Sequence, residues 1–173
     1  MKTDLGPTIK LDRKVALITG ASSGIGAGVA TAFAKEGAQV IINYPNDQEE
    51  KNAKNVLSAV SEYSESSMII KTDVSSPDQV SKMIETIEEK YKTIDILVNN
   101  AGIATSAPIH EMETDMWIEL LSIHLNGTFY CTRECLRIMY KNNYGRIINT
   151  ASQLAYKGSA GFAHYTAAKG AII

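Results

Sequence analysis

The sequence predicts an α/β domain: a doubly wound parallel sheet with helices on both faces, in three α/β/α layers. Three observations carry that expectation. Short apolar, β-branched runs recur along the 173 residues and alternate with stretches of helical periodicity. The first run passes through a glycine-rich turn into a helix, so strand, loop, helix and next strand fit the length of one βαβ unit. The chain also carries no Pro/Gly/Ser-rich linker and no internal repeat, so a single domain is expected over 1–173, with residues 1–12 as a loose tail.

Each element follows from the local pattern. Residues 15–19 (VALIT) form the first strand and end in Gly20-Ala21-Ser22-Ser23-Gly24-Ile25-Gly26. Helical spacing then runs through Val29, Ala30, Phe33 and Ala34 to Gly37, and residues 39–42 (QVII) make the second strand. A polar helix covers 47–63, a third strand 68–72 (MIIKT), and a helix 77–91 opens with Pro77 at its first position. Residues 95–98 (DILV) are the fourth strand, running into Asn99-Asn100-Ala101-Gly102. A long helix spans 114–141 with Thr114 as its N-cap, and residues 146–150 (RIINT) give the fifth strand. The last helix starts at 163 and reaches Ile173 without a cap or exit signal. Apolar runs of this kind suit strands covered on both faces, and right-handed crossovers then make the sheet Rossmann-like.

Composition excludes several classes. Hydrophobic residues at 45% and charged ones at 21% are those of a globular protein. A net charge of −2 and a pI of 5.9 leave no basic patch for nucleic acid or an anionic membrane. No apolar run approaches the ~20 residues of a membrane helix, and the N-terminus has no signal-like apolar core. A cytoplasmic protein is expected. Cys131 and Cys135, four apart in a helical pattern, read as small hydrophobes in a reducing compartment, so no metal site is expected.

Ligands of open α/β sheets bind beyond the carboxyl ends of the strands. Those ends carry the glycine loop, then Asn43-Tyr44, Asp73-Val74, Asn100-Ala101-Gly102 and Ser152. Small or polar residues at all five ends predict one shared crevice. Glycines between strand and helix let the backbone approach a pyrophosphate, whose charge the helix N-terminus stabilises. The spacing here is Gly20-x-x-x-Gly24-x-Gly26. Tyr165 and Lys169, four apart, share a helical face, where an ammonium favours the phenolate form of a neighbouring phenol. That pair makes a general acid/base, and Ser152 supplies a hydroxyl to polarise a carbonyl. A nicotinamide hydride together with the Tyr165 proton would reduce a ketone to an alcohol.

TGASSGIG (19–26), DV (73–74), NNAG (99–102), Ser152 and YTAAK (165–169) together resemble the short-chain dehydrogenases/reductases, in order and at the family's spacing, from about residue 11 onward. In tone the sequence is similar to glucose 1-dehydrogenases and 3-oxoacyl-carrier-protein reductases. The resemblance implies that Gly20, Ser22, Ser23, Gly24, Ile25 and Gly26 hold the cofactor's phosphates and ribose, with Asn43 at the end of the second strand. It implies Asp73 and Val74 at the adenine, and Asn100, Ala101 and Gly102 on the far side. Ser152 and Tyr165 would grip the reacting oxygen, and Lys169 would bind the nicotinamide ribose and tune Tyr165. His124 stands where many members carry the Asn of Asn-Leu-x-Gly, and takes over that residue's proton relay in altered form or else packs as an ordinary buried histidine. A Rossmann methyltransferase would leave Ser152, Tyr165 and Lys169 unexplained.

The family's chains continue past the point corresponding to Ile173, so the sequence is read as part of a full enzyme that stops in the sixth helix. The alternative is a catalytically incomplete nucleotide-binding or oligomerising remnant. The substrate is a small carbonyl or alcohol whose identity the residues do not select. A homo-oligomer, most often a tetramer, is implied, with Leu121, Leu125, Phe129, Leu136 and Met139 giving the long helix surplus apolar surface. The cofactor is NADP(H) or NAD(H). Asn43 replaces the acid that would repel a 2′-phosphate, and no arginine stands there to grip one. Dual use with a lean to NADP(H) of less than about tenfold is expected, Asn43 donating to either group and Asp47 being the nearest charge.

Overall fold

A computed structural model describes residues 10–173. Five parallel strands form one sheet in the order β3-β2-β1-β4-β5, where β1 is Val15–Ile18, β2 Gln39–Tyr44, β3 Met68–Lys71, β4 Ile96–Asn99 and β5 Arg146–Asn149. The order reverses direction between β1 and β4, which opens a crevice at their carboxyl ends. The helices are α1 (Gly24–Lys35), α2 (Glu50–Ser61), α3 (Pro77–Tyr91), α4 (Thr114–Leu121), α5 (Gly127–Lys141), α6 (Leu154–Lys157) and α7 (Ala163–Ile172). A 3₁₀ turn, Asp47–Glu49, leads into α2.

Strand alternation sorts the core into two layers. Leu17, Ile41 and Leu97 pack with Val80, Ile84, Cys135 and Ile138 from α3 and α5. Ala16, Ile18, Val40 and Ile42 face the other way, against Ala30, Ala34, Ala53 and Val60 of α1 and α2. All four residues of β1 are buried, hence the unbroken apolar run. Cys131 and Cys135 are buried and free, and burial pushes the Cys131 thiol up to about 12.

Four details depart from the sequence reading. The long helix is continuous in direction but passes through a π-helical turn, Ser122–Asn126, between α4 and α5. Thr114 does not cap: the chain turns one residue earlier, at Glu113, whose side chain makes no capping bond. Short helix α6 has no counterpart among the expected elements. Of the expected tail, residues 1–9 lie outside the described residues, while the Leu11 and Arg13 amides donate to the Glu36 and Gly37 carbonyls. Pro77 stands in the first turn of α3, behind a Ser76 side chain that accepts from the Gln79 amide. Along the long helix Met139 belongs to the core and Leu136 packs against it, whereas Phe129 is 55% exposed beneath the Arg133 guanidinium. Among the described residues, no helix is long and apolar enough to cross a membrane.

Candidate active site

The glycine loop leaves β1 through Gly20. Its φ is positive at 61°, and a Cβ there would stand 2.8 Å from Ala101 Cα, so the position admits no side chain. The loop is fastened from both neighbours. Asn100 Nδ2 donates to the Thr19 and Gly20 carbonyls at 3.0 and 3.1 Å, and Thr19 Oγ1 accepts from the Asn100 and Ala101 amides. Ser23 then turns into α1 in an extended conformation without capping the helix, and Gly24, at φ 56°, has open space where a Cβ would stand. First-turn amides that no side chain caps, beneath a residue with no side chain, suit the approach of a phosphate group.

This loop forms one wall of a cleft of about 490 Å³. Gly20, Ser22, Ser23 and Ile25 line it on one side, and Asn43, Asp73 and Val74 on another. Asn100, Ala101 and Gly102 line the third, so the carboxyl ends of β1 to β4 meet in one crevice, whereas Ser152, past β5, does not line it, contrary to the expectation from sequence. Gly26 is buried in the first turn of α1 instead of lining it. Asp73 Oδ1 accepts from the Ser75 amide and hydroxyl, which fixes its carboxylate at the wall. The residues present therefore fit a dinucleotide, with the α1 terminus and glycine loop for the phosphates and the Asp73–Val74 wall for a base.

Asn43 requires a correction. Its side chain is 1% exposed and already spent: Oδ1 accepts from the Gly20 amide at 3.1 Å, and Nδ2 donates to the Thr72 carbonyl at 2.9 Å and toward that of Ile70 at 3.4 Å. Asn43 ties β2, β3 and the glycine loop together, and has no donor left for a ribose or a phosphate. Asp47 points elsewhere too, pairing with Lys71 at 2.9 Å. Beside Asp73, a second carboxylate lines the cleft, that of Glu49, which sequence reasoning missed because it follows β2 by a whole turn. Exchanging Asn43 for Asp should thus cost stability, since a carboxylate would face the carbonyls Nδ2 now serves. Thermal unfolding of Asn43→Asp is expected to show a loss of at least about 2 kcal/mol, or roughly 4–8 °C in Tm. An unchanged Tm would show that the strand clamp contributes nothing.

The second group of residues lies on α7 and the π-helical turn. Lys169 is 4% exposed, its ammonium donates to the Thr150 carbonyl at 2.5 Å, and it stands 5.8 Å from the centre of the Tyr165 ring. Burial pushes the Lys169 ammonium below the ordinary lysine range. Ser152 follows β5, and its Oγ accepts from the Leu154 amide at 3.2 Å, leaving its proton to donate. The π turn places His124 against both groups of residues. Its ring meets Tyr165 edge-to-face at 5.4 Å, and Nε2 lies 2.8 Å from the Ile103 carbonyl oxygen and 3.0 Å from the Ile103 amide. Burial pushes its pKa down, the Ile103 hydrogen bond opposes this, and the Lys169 charge adds to the lowering. Its Nδ1 is buried with no hydrogen-bond partner among the described residues, as is Nδ1 of His164, whose Nε2 bonds Thr105 at 2.9 Å. Nothing in the sequence pattern singles out His164, one residue from Tyr165.

Comparison with known proteins shows the family and the fold. Residues 14–173 match the family model described as short chain dehydrogenase. The chain is 36% identical over 163 residues to a 3-oxoacyl-[acyl-carrier-protein] reductase of Synechocystis sp., covering 94% of this chain and 65% of that one. It is 39% identical over 164 residues to a 3beta-hydroxysteroid dehydrogenase of Mediterraneibacter gnavus, covering 94% and 58%. Among solved structures, NAD+-bound xylitol dehydrogenase superposes with a TM-score of 0.88 at 33% identity, covering 94% of this chain and 62% of that one. The chain thus spans about three-fifths of the length of these relatives.

Proposed function

Since the chain belongs to the short-chain dehydrogenase family, we propose that it serves a nicotinamide-dependent oxidoreductase acting on a carbonyl or secondary alcohol, with Tyr165 as general acid/base. The observation that carries this reading is the pairing of a buried Lys169 with Tyr165 on α7, joined through His124 to the wall of the dinucleotide cleft. The cofactor, NAD(H) or NADP(H), supplies or accepts the hydride when bound. The chain's own residues handle the proton and the oxygen. Tyr165 gives its hydroxyl proton to the carbonyl oxygen in reduction and recovers it in oxidation. Ser152 donates a hydrogen bond to the same oxygen, where charge develops. Lys169, held by Thr150, keeps two of its three donors for the phenol and a ribose. The orphaned Nδ1 of His124 suits a bridging water, which would carry protons between Lys169 and solvent.

The proposal includes a single dinucleotide-binding domain over the chain, small-molecule substrates such as a 3-oxoacyl, sugar, polyol or steroid carbonyl, and a cytoplasmic location consistent with two free cysteines. It also includes a homotetramer, to which exposed Phe129 and Ile118 would contribute apolar contact. Lys169→Met tests the central pairing. The expected result is a joint loss: NAD(P)H affinity falls by about tenfold or more, since a charge-assisted hydrogen bond is worth roughly 1.5–3 kcal/mol, and carbonyl reduction falls with it. Unchanged cofactor binding, followed by NAD(P)H fluorescence, would separate Lys169 from the ribose and refute the pairing.

A further inference from the structure

The Ser22–Glu49 contact has no part in the chemistry above, yet it bridges two walls of the cleft. Glu49 closes the 3₁₀ turn after β2, where the Asn46 side chain accepts from its amide. Its carboxylate reaches back to the glycine loop: Oε2 accepts from the Ser22 hydroxyl at 2.7 Å and from Asn52 Nδ2 at 3.2 Å. Both bonds go to one oxygen, so Oε1 has no partner among the described residues. Both donors also hold the carboxyl below the usual carboxylate range.

The charge on Glu49 is not offset locally. Asp47 pairs with Lys71 and Glu50 with Lys54, but no cation stands within ion-pair distance of Glu49 among the described residues. The cleft lining itself carries two carboxylates, Glu49 and Asp73, and no lysine or arginine. In βαβ dinucleotide sites an acid about twenty residues past the glycines accepts from the ribose 2′-hydroxyl and repels a 2′-phosphate. Asn43, at the end of β2, is consumed by the fold. We infer that Glu49, steered by Ser22, takes that acid's place from the following turn, so that the site selects NAD(H) over NADP(H). Oε1 accepts from the adenosine ribose, while a 2′-phosphate would meet a carboxylate with no basic residue beside it.

This inference rests on the proposed nicotinamide site, and its test keeps the two apart. Calorimetric titration with 5′-ADP and with 2′,5′-ADP isolates the 2′-phosphate, and NADH and NADPH titrations follow the whole cofactor. Wild type is expected to bind each unphosphorylated probe about tenfold tighter than its 2′-phosphorylated partner. Glu49→Gln should raise affinity for the phosphorylated probes about tenfold, whereas Glu49→Asp should retain the preference in part. Equal affinities in wild type, or a gap that Glu49→Gln leaves untouched, would overturn the role of Glu49 while leaving a nicotinamide site standing. Binding of none of the four probes would overturn both readings.

Discussion

Tyr165→Phe is expected to lower kcat/KM for carbonyl reduction by ~10²–10⁴-fold, the contribution of a positioned general acid, while NAD(P)H affinity stays close to wild type. The loss corresponds to about 2.7–5.5 kcal/mol of transition-state stabilisation. The substitution is clean because the ring survives. Phe can meet His124 edge-to-face at the same 5.4 Å and keep its contact with Phe162 at 6.4 Å, so only the hydroxyl leaves. The Lys169 ammonium keeps its hydrogen bond to the Thr150 carbonyl. Single-turnover reduction at saturating NAD(P)H checks the outcome. Retention of more than about a tenth of the wild-type value, under ~1.4 kcal/mol, would remove Tyr165 from the proton transfer. A fall in cofactor affinity of equal size would instead assign the hydroxyl to binding.

The fold was legible because its signals are local and repeated. Short apolar runs such as VALI in β1 and VII in β2 suit strands covered on both sheet faces, and each strand is followed by a helix. The approach of Lys169 to the Tyr165 ring was legible for the same reason: i and i+4 on a helix share a face wherever that helix packs. What the sequence hid depends on side-chain accounting in three dimensions. Asn43 looks like a free amide at a strand end, and only the carbonyls of Thr72 and Ile70 show that it is spent on the sheet. Glu49 looks like one more acid in the polar stretch DQEE, and only the Ser22 contact places it at the cleft. The π turn at Ser122–Asn126 leaves no composition signal, because it shifts helical register without changing residue types. His164 escapes a sequence reading because burial, not spacing, marks it.

His124 sets up the other large effect expected of this chain. A Cβ at Gly102 would lie 2.2 Å from His124 Cε1, with both ring nitrogens within 2.9 Å. The ring has little room to move: it is 3% exposed, held at Nε2 by Ile103 and flanked by Tyr165. Gly102→Ala therefore forces either a displaced imidazole or a displaced backbone at 102–103. Overpacking typically costs ~1–3 kcal/mol, and a broken Ile103 bond adds about 1 kcal/mol. The sum, on the order of 3 kcal/mol, lowers Tm by on the order of 10 °C in a domain of this size. Backbone φ plays no part here, so the effect is one of space alone. That gives a decisive control. In a His124→Asn background the colliding ring atoms are gone while an amide remains to meet Ile103, so the added methyl should cost far less. The double variant is expected to be more stable than the two single changes predict by about 1–3 kcal/mol, the coupling of residues in contact. Strict additivity in thermal or urea unfolding would show that His124 yields freely, and would also remove its claim to hold Tyr165 and the cleft wall in register.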